Sequence, residues 1–200
     1  MINQVPGVLR LAEEVLSIDL AEAEEFYKKS LAAGNEGIMM KKLDAIYKPG
    51  SRVGFGVKVK PTMDTLEVAI VGAEWGEGKR GQWLASFIVA VRDPATNEFV
   101  ELGRVGTGIK EKPEEGVSFG QLTELLRPDI IGEKGREVRV KPKVVIEVDY
   151  EEIQASPTYS SGFALRFPRF VRLRDDRNPT DVNSVDDVRR LAEGQRGRQE

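Results

Sequence analysis

Beyond Gly34 the chain turns into short apolar runs broken by Gly and Pro, and this punctuation restricts the fold more than any other feature. Residues 66–71, 86–92, 99–105, 144–150 and 163–173 read as strands. Asp93, Pro94, Ala95, Thr96 and Asn97 form a turn cluster between two of them. Residues 118–126 are the one helical interruption, opened by Ser118 and Gln121 at capping-box spacing.

Roughly five strands with one helix before the last two predict a small Greek-key barrel of the OB kind, although a split β-sandwich gives a similar string. Ahead of this region, Asp19 and Glu22 have capping-box spacing. Leu20, Ala23, Tyr27 and Leu31 recur at helical intervals, and Gly34 stands where a C′ glycine belongs. A helix of about four turns is expected there. Ser184 and Asp187 open a last helix carrying Val188 and Leu191 on one face, and residues 195–200 are expected to fray. The resulting class is α+β, with no internal repeat.

Composition narrows the chemistry. The 200 residues contain no His and no Cys, which excludes an imidazole base, a thiolate metal site and a disulfide framework. Catalysis would rest on Lys, Arg, Asp, Glu, hydroxyls, backbone and bound metal. No apolar run approaches the ~20 residues of a bilayer span. Residues 1–10 lack the pattern of a signal peptide, so a cytoplasmic location and no membrane partner are expected.

The net charge of −3 lacks the strongly basic signature of many nucleic-acid-binding domains, yet the basic residues are clustered. Residues 36–60 hold six basic and two acidic residues, 134–143 five and one, and 166–177 five and two. The third cluster alternates Arg with Phe163, Phe167 and Phe170, a plausible surface for phosphate backbone and bases. If Pro168 preserves the register, Arg166, Arg172 and Arg174 project from one face. Phe167 is then either an exposed wedge or a barrel-interior side chain. Lys58 and Lys60, two apart, suit either a phosphate or an ordinary exposed strand face. Gly76, Gly78 and Gly81 match G-x-G-x-x-G, but a strand follows where a dinucleotide site needs a helix, so a hairpin turn is expected.

The order of segments adds a family resemblance. Glu36-Gly37-Ile38-Met39-Met40-Lys41 resembles motif IV of ATP-dependent DNA ligases, and Lys58-Val59-Lys60-Pro61 resembles motif V. Ala164-Leu165-Arg166-Phe167-Pro168-Arg169-Phe170, running into Arg174-Asp175-Asp176-Arg177, resembles motif VI. Val71-Gly72-Ala73-Glu74-Trp75-Gly76 and Ile153-Gln154-Ala155-Ser156-Pro157 are similar to the archaeal branch. The chain departs from the family pattern at Gly56, where Trp is usual, and at Arg177, where motif VI ends in Lys.

The resemblance implies the C-terminal part of a nucleotidyltransferase domain over 1–61, a five-stranded OB-fold barrel over 62–178, and a C-terminal helix and tail over 179–200. It implies nick sealing in replication, repair and recombination: AMP passes from ATP to a Lys, then to a 5′-phosphate, and the 3′-hydroxyl displaces it. By the same resemblance Lys58, Lys60, Arg174, Asp176 and Arg177 bind nucleotide phosphates. Arg166, Phe167 and Arg169 meet DNA, and Glu36 helps hold Mg2+. The implied partners are ATP, nicked duplex DNA, a missing N-terminal half and a sliding clamp. The K-x-D-G motif that carries the nucleophilic Lys is absent; the nearest string, Lys42-Leu43-Asp44-Ala45, lies after motif IV and lacks its Gly. The start at Met1 is therefore expected to mark a truncated or split reading frame. The alternative is a non-catalytic OB-fold DNA-binding module.

Overall fold

The computed structural model describes Val5 and residues 11–46, 48–49, 55–61 and 64–196. They fall into two compact units, within Met1–Thr62 and within Met63–Gly197.

In the first unit, helix α1 (Leu20–Ala32) begins where the Asp19 side chain accepts the Ala21 N–H at 2.9 Å. It ends in a Schellman arrangement. Gly34 takes φ 81°, its N–H donates to the Leu31 carbonyl at 3.0 Å, and the Asn35 N–H donates to the Ser30 carbonyl at 3.1 Å. Strands β1 (Ile38–Lys41) and β2 (Gly56–Val59) pair antiparallel, and the pairing extends through Lys42 N–H to the Phe55 carbonyl. No described residue of this unit is fully buried; Leu16, Leu20, Met39, Met40, Leu43 and Val57 are all exposed.

The second unit is a closed sheet. Strands β3 (Leu66–Trp75), β4 (Leu84–Arg92) and β5 (Phe99–Val105) form a meander. Strand β8 (Val145–Asp149) adds to the other edge of β3, and β11 (Arg169–Leu173) adds to β8. The path β11-β8-β3-β4-β5 is joined at its ends by a parallel bridge between Thr107 and Arg169. There the Phe170 N–H donates to the Thr107 carbonyl at 2.8 Å. Gly108 makes this closure possible. Its φ is +94°, and a Cβ would sit 2.3 Å from the Phe170 carbonyl oxygen.

Helix α2 (Phe119–Leu126) lies between β5 and β8 in the chain, and its capping box forms as the sequence predicts. It buries Phe119, Leu122 and Leu126 in the barrel core, with the Phe119 ring stacked on Phe87 at 6.5 Å between centroids. The buried Thr123 hydroxyl accepts the Leu84 N–H at 2.9 Å and donates to the Phe119 carbonyl at 2.7 Å, so no polar atom of that side chain is stranded. Among the described residues no helix is long and apolar enough to cross a membrane.

Four of the five expected strands form as single strands, and the glycine-rich segment at 76–81 is a turn between β3 and β4. Three corrections follow. Strands β6 (Ile130–Lys134) and β7 (Glu137–Val140) form a hairpin on β3, and β9 (Glu152–Ala155) is a further strand; none of the three was among the strands expected. Second, residues 163–173 are two strands, β10 (Phe163–Arg166) on β9 and β11 on β8. Pro168 supplies no N–H for a ladder, and Phe167 takes φ 50° at the break. Third, helix α3 (Val185–Arg196) runs past Gly194, and the Gln195 side chain accepts the Ile153 N–H at 2.9 Å; 197–200 lie outside the described residues.

The burial of Phe119 against Phe87 predicts a large core penalty. Phe119→Ala should cost about 3–5 kcal/mol of the second unit's stability, readable as a lower urea midpoint at unchanged slope.

Candidate functional site

Two groups of the expected residues are assembled, one in each unit. In the first, Glu36 and Lys60 meet at 3.1 Å, with Lys60 about one-third exposed and Glu36 largely so. What brings them together is the close approach of the two chain segments. Ile38 pairs with Val59 and Met39 with Lys58. Gly37 has φ +139°, and a Cβ there would lie 2.1 Å from the Val59 carbonyl oxygen. The Gly37 carbonyl accepts the Ser30 hydroxyl at 2.7 Å, tying this turn to α1. Lys58 is exposed on β2. Gly56 has no such steric demand, since a Cβ would find its nearest neighbour at 3.7 Å. Lys42 and Asp44, from the string nearest to K-x-D-G, form an exposed ion pair at 3.2 Å. Among the described residues no three acidic side chains converge into a metal-binding group.

In the second unit Arg174, Asp176 and Arg177 share one turn, closed by the Arg177 N–H donating to the Arg174 carbonyl at 3.2 Å. Arg174 is nearly buried, its side chain 10% exposed. Its Nε and one Nη each donate to an Asp176 carboxylate oxygen at 2.8 Å, and its other Nη pairs with Glu67. Arg177 forms an ion pair with Glu67, its Nε 3.2 Å from the carboxylate. The Arg174 guanidinium, hydrogen-bonded to Asp176, holds that carboxyl down at about 2. Glu147 is likewise held below the ordinary carboxylate range by the Thr65 hydroxyl and by Arg172.

The aromatic and basic tract is arranged around the break in the strand. Phe167 is 66% exposed, so the barrel-interior alternative is overturned. The Arg166 guanidinium lies 5.2 Å from the Phe167 ring centroid and pairs with Glu152 at 3.2 Å. Arg169 follows on the next strand, exposed and without an ion pair among the described residues. The expected row of Arg166, Arg172 and Arg174 on one face does not form. Arg174 is turned into the Glu67 and Glu147 carboxylates, and Arg172 pairs with Glu147 at 2.5 Å. Sequence reasoning missed these two acidic partners. Their signal was present: each is a Glu flanked on both sides by apolar strand residues, Leu66-Glu67-Val68 and Ile146-Glu147-Val148.

Two outcomes test this geometry. Gly37→Ala should destabilise the first unit by at least about 2 kcal/mol through positive-φ strain and the clash with Val59, seen as lost hydrogen-exchange protection over β1 and β2. The Asp176 carboxyl titrates lower folded than unfolded, so its contribution is present above about pH 4 and is lost as pH falls toward 2. In acid unfolding, wild type should exceed Asp176→Asn by a constant margin above about pH 5, and the two should converge near pH 2.

Comparison with known proteins finds segments of both units in one family. Residues 1–60 match the model of the ATP dependent DNA ligase domain, and residues 80–177 match that of the ATP dependent DNA ligase C terminal region. The DNA ligase of Nanoarchaeum equitans is 51% identical over 98% of this chain and 35% of its own length. That of Thermococcus onnurineus is 50% identical over 94% of this chain and 32% of its own. Among solved structures, the ligase domain from M. tuberculosis LigD superposes with a TM-score of 0.50 at 30% identity, covering 80% of this chain and 50% of that one. The chain thus spans about a third of the length of the curated relatives it matches. With matched segments in the order its motifs require, the chain belongs to the ATP-dependent DNA ligase family.

Proposed function

We propose that this chain is the C-terminal part of a DNA ligase that seals nicks in duplex DNA through an enzyme–AMP and a DNA–adenylate intermediate. The domain division is proposed as 1–61 from the nucleotidyltransferase domain, 62–178 as the OB barrel, and 179–200 as a helix and tail. The observation that carries the reading is the pair of phosphate-suited groups, Lys58 with Lys60 beside Glu36, and Arg177 in the turn with Arg174 and Asp176.

The three steps are phosphoryl and nucleotidyl transfers, in which positioning and charge neutralisation dominate. Lys58 and Lys60 supply point charges to the nucleotide phosphates. The turn that Arg174 and Asp176 hold together orients the departing pyrophosphate of the first step, with Arg177 at its outer edge. A Mg2+ ion fits a site that offers one carboxylate, because such ions usually keep waters and take their other ligands from substrate phosphates. Glu36 is the residue that would contribute, and the ion would neutralise phosphate charge. Lys60 would then exchange its Glu36 partner for a phosphate.

Arg166, Phe167 and Arg169 are proposed as the DNA contact. An exposed Phe held at positive φ between two arginines is poorly explained by packing. It is well suited to wedging into a groove or stacking on a base. The intact enzyme would work with the remaining N-terminal segments of the family and, where one is present, a sliding clamp. A cytoplasmic setting fits this role.

One observation favours the second reading, a DNA-binding module without chemistry: no K-x-D-G lysine is present to act as nucleophile. On either reading this chain incubated with radiolabelled ATP and Mg2+ should yield no covalent adenylate on a denaturing gel; a stable labelled band mapped to one of its lysines would overturn the assignment. Phe167→Ala should lower DNA affinity by about 1–3 kcal/mol and change stability by less than about 0.5 kcal/mol. Fluorescence anisotropy against salt should show log K falling with log salt at a slope of about −2 to −3, as expected for two or three neutralised phosphates.

A further inference from the structure

We propose that Glu67 is the positioning residue of the Arg174–Arg177 turn, dividing its two carboxylate oxygens so that Arg174 holds the turn together and Arg177 alone meets polyphosphate. The inference rests on the reading of that turn as a polyphosphate site.

Glu67 on β3 and Glu147 on β8 are direct cross-strand partners. Like charges so placed repel unless a cation lies between them. Arg174 supplies that cation, approaching Glu147 at 3.8 Å while it pairs with Glu67. All three of its guanidinium nitrogens are engaged, two by Asp176 and one by Glu67. At 10% exposure, Arg174 has no edge left for a phosphate.

Arg177 is in the opposite condition. Its Nε makes an ion pair with the second oxygen of Glu67 at 3.2 Å, and its side chain is 46% exposed. Its two terminal amino groups have no hydrogen bond among the described residues. They form the fork that matches two phosphate oxygens. A Lys at this position would offer one point charge to carboxylate and ligand together, without a fork aimed at two phosphate oxygens. Glu67 is itself fixed from both sides of its peptide. Its N–H donates to the Asn183 side chain at 2.8 Å, and its carbonyl accepts the Asn183 N–H at 3.0 Å.

The test is a titration of the full chain with inorganic tripolyphosphate, followed by calorimetry and by the arginine Nε–H signals in nuclear magnetic resonance. In wild type the Arg177 signal should move with ligand while that of Arg174 stays in place. Arg177→Ala should bind at least about tenfold more weakly. Glu67→Gln removes a negative charge, so plain attraction predicts tighter binding. Loss of positioning predicts about tenfold weaker binding instead. Because that variant also disturbs a nearly buried arginine, the exposed Arg177→Lys provides a second arm, expected to bind several-fold more weakly at unchanged melting temperature. If Arg177→Ala is weakened but Glu67→Gln or Arg177→Lys binds like wild type or tighter, the positioning role falls and the polyphosphate reading stands. A ligand-induced shift of Arg174 in place of Arg177 also removes the role. If wild type binds no tripolyphosphate, or Arg177→Ala binds as well as wild type, both fall.

Discussion

The second unit depends on one closure. A five-stranded sheet leaves two edges of unpaired backbone groups, and joining them removes both. Here the joint is the Thr107–Arg169 bridge, and it is possible because Gly108 lets one backbone come within reach of the Phe170 carbonyl. Every later feature inherits its position from that contact. Strand β11 is held at the joint by the Phe170 N–H, so the chain just before it must turn sharply. Pro168 and the left-handed Phe167 make that turn, and the Phe167 ring is left outside the barrel. At the other end of β11 the chain enters the Arg174–Arg177 turn. Both candidate contact surfaces of this unit are thus set by the two ends of a single five-residue strand.

Electrostatics act within this frame mainly by pairing. The basic clusters suggest a positive face when only sequence neighbours are counted, but strand pairing returns acidic residues to them. Arg136 meets Glu77, Arg139 meets Glu101, Arg166 meets Glu152 and Arg172 meets Glu147. Arg169 has no ion pair among the described residues, and the pairing of Arg177 with Glu67 leaves its two terminal amino groups without a hydrogen bond among them. In the first unit a similar economy holds through backbone proximity. Gly37 permits the approach that sets Glu36 beside Lys60, and this is the local reason for a Gly after the Glu.

The sequence was most legible where chemistry is local. Ser118 with Gln121, Asp19 before α1 and Gly34 after it are caps whose partners lie within five residues, and each forms. Strands with three or more inward apolar side chains were equally plain. The β6–β7 hairpin was not, because Gly132, Lys134, Gly135 and Arg136 read as loop residues, and only Val138 and Val140 of these two strands are buried. Strand β9 has a single buried anchor, Ile153. The site residues were named by family pattern, but their partners were not. Glu67 is 107 residues from Arg174, and no spacing rule reaches that far. Pro168 did signal a break, yet which side of the sheet Phe167 would take depended on a bridge to Thr107 that only the folded chain reveals.

The barrel has a buried core of its own and should stand by itself, whereas the first unit leaves Met39, Met40 and Val57 exposed and should not. The most direct test is native-state hydrogen exchange along the whole chain, resolved by peptide. Strands β3, β4 and β8 should exchange only through global unfolding, since their backbone groups are paired on both sides and their apolar side chains are buried. Strands β1 and β2 should exchange orders of magnitude faster, as expected for a two-stranded ribbon with exposed Met39, Met40 and Val57. Equal protection in β1, β2 and the barrel strands would contradict the account and establish one self-sufficient domain.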